Sequence, residues 1–388
     1  MFQKKVAEMR TVYALLLFAT ADVVMLRAAD PCTDHIKQLR AFYFGNSFTG
    51  NAMPGLHPLL GKSVGKHWTV QAAISPGVPI WAHMKRHMDK GADYESFQRA
   101  APQTDAIVML IFGGEGLSSV VTQMWQGQVK FDRPTDIGDV AACTYLIREY
   151  LKLNPNGRAY IYTAWPGIPA VAEFRHRVQN EMRQTLLNQG LSREEVLKRI
   201  KQRKPTHEEM EPLRKSFDYA AAWLTQYDPA QPKGNTHTRG HMYAVMEGLK
   251  RNFPMLWREG RLGMVPVGDV FLELDKKMRA AAVPGITNVG EFYADGGHLR
   301  SGLPRYTLAA TYYAVLFQDD PGKLDWRIFQ DRSNYESGKY GFYVHQPDLG
   351  VHVDITPARV KVVNETIWGV ICGHPYTHVK RGPASTER

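Results

Sequence analysis

Ser47, Asp295 and His298 are the three residue types that make a weak hydroxyl nucleophile usable at neutral pH. A serine attacks poorly unless a base takes its proton, and an imidazole serves best when a carboxylate fixes its tautomer. Ser47 ends Ala41-Phe42-Tyr43-Phe44-Gly45-Asn46-Ser47, an apolar strand candidate running into a glycine turn. Asp295 and His298 are separated only by Gly296 and Gly297. That spacing lets the carboxylate reach Nδ1 while Nε2 faces the serine, over small residues that turn easily. The expected chemistry is hydrolysis through an acyl-serine. Two plainer readings compete: a serine after a strand caps the next helix, and Asp-Gly-Gly is a common turn. Chemistry is favoured because both segments follow strand-like runs. Both therefore fall at the carboxyl edge of one parallel sheet, where open α/β folds place their sites.

The ordered blocks Gly45-Asn46-Ser47 and Asp295-Gly296-Gly297-His298 resemble those of the SGNH (GDSL-like) hydrolase superfamily. The likeness covers roughly residues 40 to 320, with Met264 to Gly268 and the helix-like stretch Tyr306 to Leu316 as further points of similarity. It implies a three-layer α/β/α, flavodoxin-like (SGNH hydrolase) fold with a central parallel sheet of about five strands, and Ser47, His298 and Asp295 as catalytic residues. It also implies an oxyanion hole made of the Ser47 amide, a glycine after the second strand and an asparagine after the third. Gly77, in Ile74-Ser75-Pro76-Gly77-Val78, matches the glycine. In the third block the run Asp105 to Phe112 leads into Gly113-Gly114-Glu115-Gly116, so Glu115 stands where the asparagine is expected.

That departure matters because an ionised carboxylate opposes a developing oxyanion, whereas an amide donor lowers the barrier by about 3 kcal/mol. Glu115 donates only if protonated, a state that burial favours. The alternative is that a glycine amide completes the hole and Glu115 hydrogen-bonds neighbouring loops. The lipase-type elbow is absent: Thr49, not glycine, stands two places after Ser47, and a histidine three residues from its aspartate does not suit that layout.

By analogy with carbohydrate acetylesterases of the superfamily, the chain reads as a secreted serine esterase acting on O-acyl, expectedly O-acetyl, carbohydrate esters, with no metal or other cofactor. Asn46, Trp165 and Arg300 are candidate substrate contacts; Trp81 and Tyr162 also lie near strand ends, where rings stack on sugars or fill the core. The alternatives are a lipid or short-chain acyl esterase and a non-catalytic glycan-binding protein on the same scaffold.

The elements that must position these residues are legible as apolar runs at 41–46, 68–74, 105–112, 158–164 and 263–267, read as strands. Amphipathic stretches from Val140 to Leu153 and Met242 to Asn252 lie between them, the second capped near Asn235 or Thr238. The alternation argues for βαβ units with helices on both faces of a parallel sheet. Residues 170–231 are charged, helix-rich and without a strand, which reads as a helical insertion in a 30–320 hydrolase domain. Residues 321–388 form an extension that packs on the core and holds a helix capped by Thr356, with Pro357 in its first turn.

Length and composition suit an enzyme-sized core: 388 residues, 44% hydrophobic and 22% charged. Lys4, Lys5 and Arg10 precede an apolar run from Val12 to Ala19, and Ala28 and Ala29 precede Asp30, so residues 1–29 read as an export signal and the mature protein as periplasmic or secreted, without stable membrane insertion. The net charge of +10 suits acidic glycans or anionic surfaces. Its local concentration, Lys198 to Lys204, reads as a solvated helix face, and no zinc-finger spacing or aromatic platform accompanies it, so no nucleic-acid partner is expected. Cys32, Cys143 and Cys372 make an odd count; Cys143 sits in an apolar helical segment and reads as a buried thiol, while Cys32 and Cys372, near the two ends, are a possible bridge. His237 and His241 have the i, i+4 spacing of metal ligands but lack an adjacent glutamate, and read as surface or capping residues.

Overall fold

The computed structural model describes residues 36–111, 138–202, 206–228, 237–336, 339 and 352–380. The proposed leader, Cys32, and the turn at 113–116 with Glu115 lie outside them. Five strands form one sheet in the order β2-β1-β3-β4-β5. They are β1 Gln38–Gly45, β2 His67–Ile74, β3 Ala106–Ile111, β4 Arg158–Thr163 and β5 Leu262–Val265, and every neighbouring pair is parallel. This is the doubly wound order in which ligands meet the carboxyl ends of the strands.

The layers follow from the period of two along each strand. On β1, Phe42 and Phe44 contact Phe97 on one face, while Tyr43 turns to the other and meets His57 and Tyr312. The first face is covered by helices Ile80–Met88, Ala92–Ala100, Asp139–Leu153 and Arg239–Asn252, and the second by His57–Ser63, Val267–Arg279, Leu303–Leu316 and Pro357–Gly373. All six residues of β3 are buried, as a central strand covered on both faces requires. Helix Leu303–Leu316 is buried along its whole length.

Between β4 and helix Arg239–Asn252 the described residues carry helices Pro169–Asn188, Arg193–Gln202, His207–Lys215 and Tyr219–Trp223 and no strand. Thr238 caps Arg239–Asn252 by accepting the His241 amide. Thr356 caps Pro357–Gly373, whose Val363, Ile367 and Ile371 are fully buried in the main core. Beyond this helix the chain runs beside β5, where Met264 donates to the Tyr376 carbonyl and His378 Nε2 donates to the Leu262 carbonyl. A short parallel pair, β6 Ser301–Gly302 with β7 His352–Val353, stands apart from the main sheet. No helix of the described residues is long and apolar enough to cross a membrane.

Candidate active site

β1 ends at Gly45, and helix Ser47–Asn51 begins immediately, so Ser47 sits in the first turn at the carboxyl edge of the sheet. Gly45 admits no side chain: a Cβ there would lie 1.9 Å from Thr49 Oγ1. Asn46 caps the helix through Oδ1, which accepts the Phe48 amide at 2.9 Å, while its Nδ2 donates to the Val78 carbonyl at 3.3 Å. Fully buried and occupied at both ends of its amide, Asn46 is a local brace rather than the substrate contact expected from its position beside the serine.

After β2, the Val78 amide donates to the Ser75 carbonyl, and Gly77 has φ +71. Proline followed by a residue of positive φ is the type II turn, which favours glycine at that place. A Cβ on Gly77 would meet nothing within 4 Å, so space is open beside its backbone. The turn is tied to β1 by the Ser75 amide, which donates to the Gly45 carbonyl at 3.0 Å.

The loop that carries Asp295 and His298 arrives from far along the chain. Ala294 donates to the His298 carbonyl and Arg300 to the Phe292 carbonyl, which closes residues 292–300 into a tight loop. Asp295 Oδ1 accepts the amides of Gly297 and His298, both at 2.8 Å, and Oδ2 lies 2.9 Å from His298 Nδ1. His298 Nε2 lies 2.9 Å from Ser47 Oγ. Burial acts to raise the Asp295 carboxyl, but the bond and charge of His298, with the two amides, outweigh it and hold the group well below the usual carboxylate range. An ionised Asp295 only accepts, so Nδ1 carries the proton and the Nε2 lone pair is left for the serine. Ser47 is 7% exposed, and about a fifth of the His298 side chain is open.

Three other segments hold this loop. Asn51 links it to the serine helix: Nδ2 donates to the Ser47 carbonyl at 2.8 Å, and Oδ1 accepts the Leu299 amide at 2.6 Å. The turn after β4 grips it through Trp165 Nε1 to the Gly297 carbonyl at 2.8 Å and Ile168 to the Gly296 carbonyl at 2.8 Å; Tyr293 returns a bond to the Pro166 carbonyl. The Trp165 ring is buried and stacked on Phe48, with centroids 4.6 Å apart, so it supports the site from within and does not stack on a sugar as its strand-end position suggested. From the helical insertion, Arg214 Nη2 donates to the Ala294 carbonyl at 2.6 Å, and half-exposed Arg175 lies 3.9 Å from Asp295 Oδ2.

Arg300 is also corrected. It is 7% exposed and directed at the insertion helix, 3.9 Å from Glu211 Oε2 and 3.5 Å from His207 Nδ1, rather than at an open cleft. Gly296 and Gly297 serve close packing: a Cβ would lie 3.1 Å from Val171 and 3.2 Å from the Phe48 ring respectively. Tyr162 is buried in the core and Trp81 only partly so. His241 is buried rather than superficial, 3.3 Å from Asp139, while burial and then His241 push neighbouring His237 down to about 4. Among the described residues no group of three metal-ligating side chains comes together. Cys143 is buried, and burial pushes its thiol up. A cavity of about 510 Å³ opens elsewhere, lined by Arg239, Asp269 and His374 among others and by none of Ser47, Asp295 or His298.

No family model matches the chain, and no curated protein matches it significantly. Among solved structures it is similar to a DUF4886 family protein from Bacteroides uniformis ATCC 8492, at 11% identity and a TM-score of 0.45, over 87% of this chain and 95% of that one. So distant a likeness says nothing of the chemistry.

Proposed function

We propose that the protein is a serine ester hydrolase of the SGNH kind, secreted or periplasmic, acting on O-acyl esters and chiefly on O-acetyl groups of carbohydrates. The observation that carries this reading is the continuous relay from Ser47 Oγ to His298 Nε2 and from Nδ1 to Asp295, each step 2.9 Å. Ser47 attacks the ester carbonyl while His298 takes its proton. The imidazolium is stabilised by Asp295 and then protonates the departing alcohol. Water, deprotonated by His298, releases the acid from the acyl-serine and restores the hydroxyl. The tetrahedral oxyanion is held by backbone amides of Ser47 and Gly77. The relay needs no metal or redox group. The choice of carbohydrate esters rests on the net charge of +10, the export signal and the superfamily resemblance.

The test is acetate release from a panel of acetylated polysaccharides, and turnover of p-nitrophenyl acetate, by wild-type and Ser47→Ala proteins. Release by the wild type and its near-complete loss in a folded Ser47→Ala variant is the expected result. Equal turnover by both would sink the assignment. Saturable glycan binding without release would favour a non-catalytic binder, and a preference for long acyl chains a lipid esterase.

A further inference from the structure

A closed circuit of polar contacts lies beneath the two segments proposed to hold the oxyanion. The Gly45 carbonyl accepts twice, from the Ser75 amide at 3.0 Å and from His83 Nε2 at 2.9 Å. His83 is fully buried on helix Ile80–Met88, and its Nδ1 lies 2.9 Å from Asp93 Oδ2 on helix Ala92–Ala100. Asp93 also pairs with Arg86 at 3.5 Å, and Arg86 Nη1 donates to Ser75 Oγ at 2.7 Å. The circuit therefore runs Gly45, His83, Asp93, Arg86, Ser75 and back to Gly45. A carbonyl can only accept, so Nε2 of His83 carries a proton. The hydrogen bond from His83 is the first of the influences that hold Asp93 below the usual carboxylate range, with Arg86 assisting against the cost of burial. His83 thus stands between the Gly45 carbonyl and the Asp93 carboxyl with both ring nitrogens engaged.

We propose that His83, Asp93 and Arg86 are positioning residues that set the spacing between the Ser47 and Gly77 amides, and so the affinity of the site for an oxyanion; the proposal rests on the esterase reading above. Gly45 lies two residues before Ser47, and Ser75 lies two before Gly77, so the circuit joins the two donor segments alongside the Asn46 Nδ2 bond to the Val78 carbonyl. Nothing in the circuit touches the substrate. Its loss therefore acts on the transition state through geometry, where displacement by about 1 Å costs up to roughly 100-fold in rate.

The test uses the full-length protein with Asp93→Asn, His83→Gln and Arg86→Gln. Arg86 is half-exposed, so its variant keeps the measurement possible if the buried changes do not fold. Steady-state turnover of p-nitrophenyl acetate and the inhibition constant of phenylboronic acid, whose serine adduct imitates the tetrahedral intermediate, are measured together. The expected result is kcat lowered roughly 10- to 100-fold with KM within about twofold, and boronate affinity weakened in proportion to kcat/KM. Arg86→Lys should restore part of both. Wild-type values in the folded variants, or reduced turnover with unchanged boronate affinity, would overturn the proposal while leaving the esterase reading standing. A wild-type protein that neither turns over the ester nor labels at Ser47 with a fluorophosphonate would overturn both.

Discussion

Asp295 is the residue whose environment makes the strongest demands. Two backbone amides and an imidazole converge on one carboxyl, and Asp295→Asn presents a donor where an acceptor is needed, leaving His298 with the wrong tautomer. We expect kcat to fall by about 10³ to 10⁴, read by steady-state kinetics. Stability should follow the same carboxylate. Its native pKa is depressed, so the stabilisation is present at neutral pH and is lost as pH falls below about 4, the unfolded value, towards the lower native one. The difference in thermal midpoint between wild type and Asp295→Asn should therefore be largest near pH 7 and shrink on acidification. At this scale the convergence of Ser47, Asp295 and His298 was legible, because residue type and short spacing together restrict what they can do. Asn46, Trp165 and Arg300 were misplaced because side-chain type does not reveal whether a group at a strand end faces the cleft or the packing beneath it. Asn51 was missed since its decisive partner, the Leu299 amide, lies 248 residues away.

The strands were legible to within a few residues because most are largely apolar runs, as in β3, which is covered on both faces; edge strand β2 is more mixed. The Thr356 cap followed from a hydroxyl preceding a helical pattern, while of the two candidates Asn235 and Thr238 the structure places Thr238 at the cap. Sequence periodicity carries no comparable sign of which loops meet, and here the meeting of loops makes the site. The serine helix and the Asp295–His298 loop are joined by Asn51, so Asn51→Ala should remove bonds to two backbone groups and cost about 1–3 kcal/mol by denaturant unfolding. Ser47 and His298 would lose register in the same variant, so turnover should fall further than stability alone explains. Trp165→Phe keeps an aromatic ring against Phe48 but leaves the Gly297 carbonyl without its indole donor. We expect a loss of about 1 kcal/mol with a measurable drop in kcat.

Across the molecule, the insertion and the C-terminal extension are structural parties to the site's support. Arg214 brings the insertion onto the Ala294 carbonyl, and helix Pro357–Gly373 completes one face of the core. Ile367→Ala should cost about 2–5 kcal/mol in unfolding free energy, since the side chain is fully buried. Truncation after Gly373 should uncover the outer edge of β5, which Tyr376 and His378 now occupy, and an unpaired edge invites intermolecular strand pairing. Light scattering of the truncated protein should report association absent from the full chain. The sequence separation of 251 between Ser47 and His298 also has a consequence in time. No chain still emerging from a ribosome or an export channel holds both halves of the relay until residue 298 of 388 has arrived. On the proposed reading, turnover is thus withheld until that point, and on refolding from denaturant recovered turnover should lag recovered helicity.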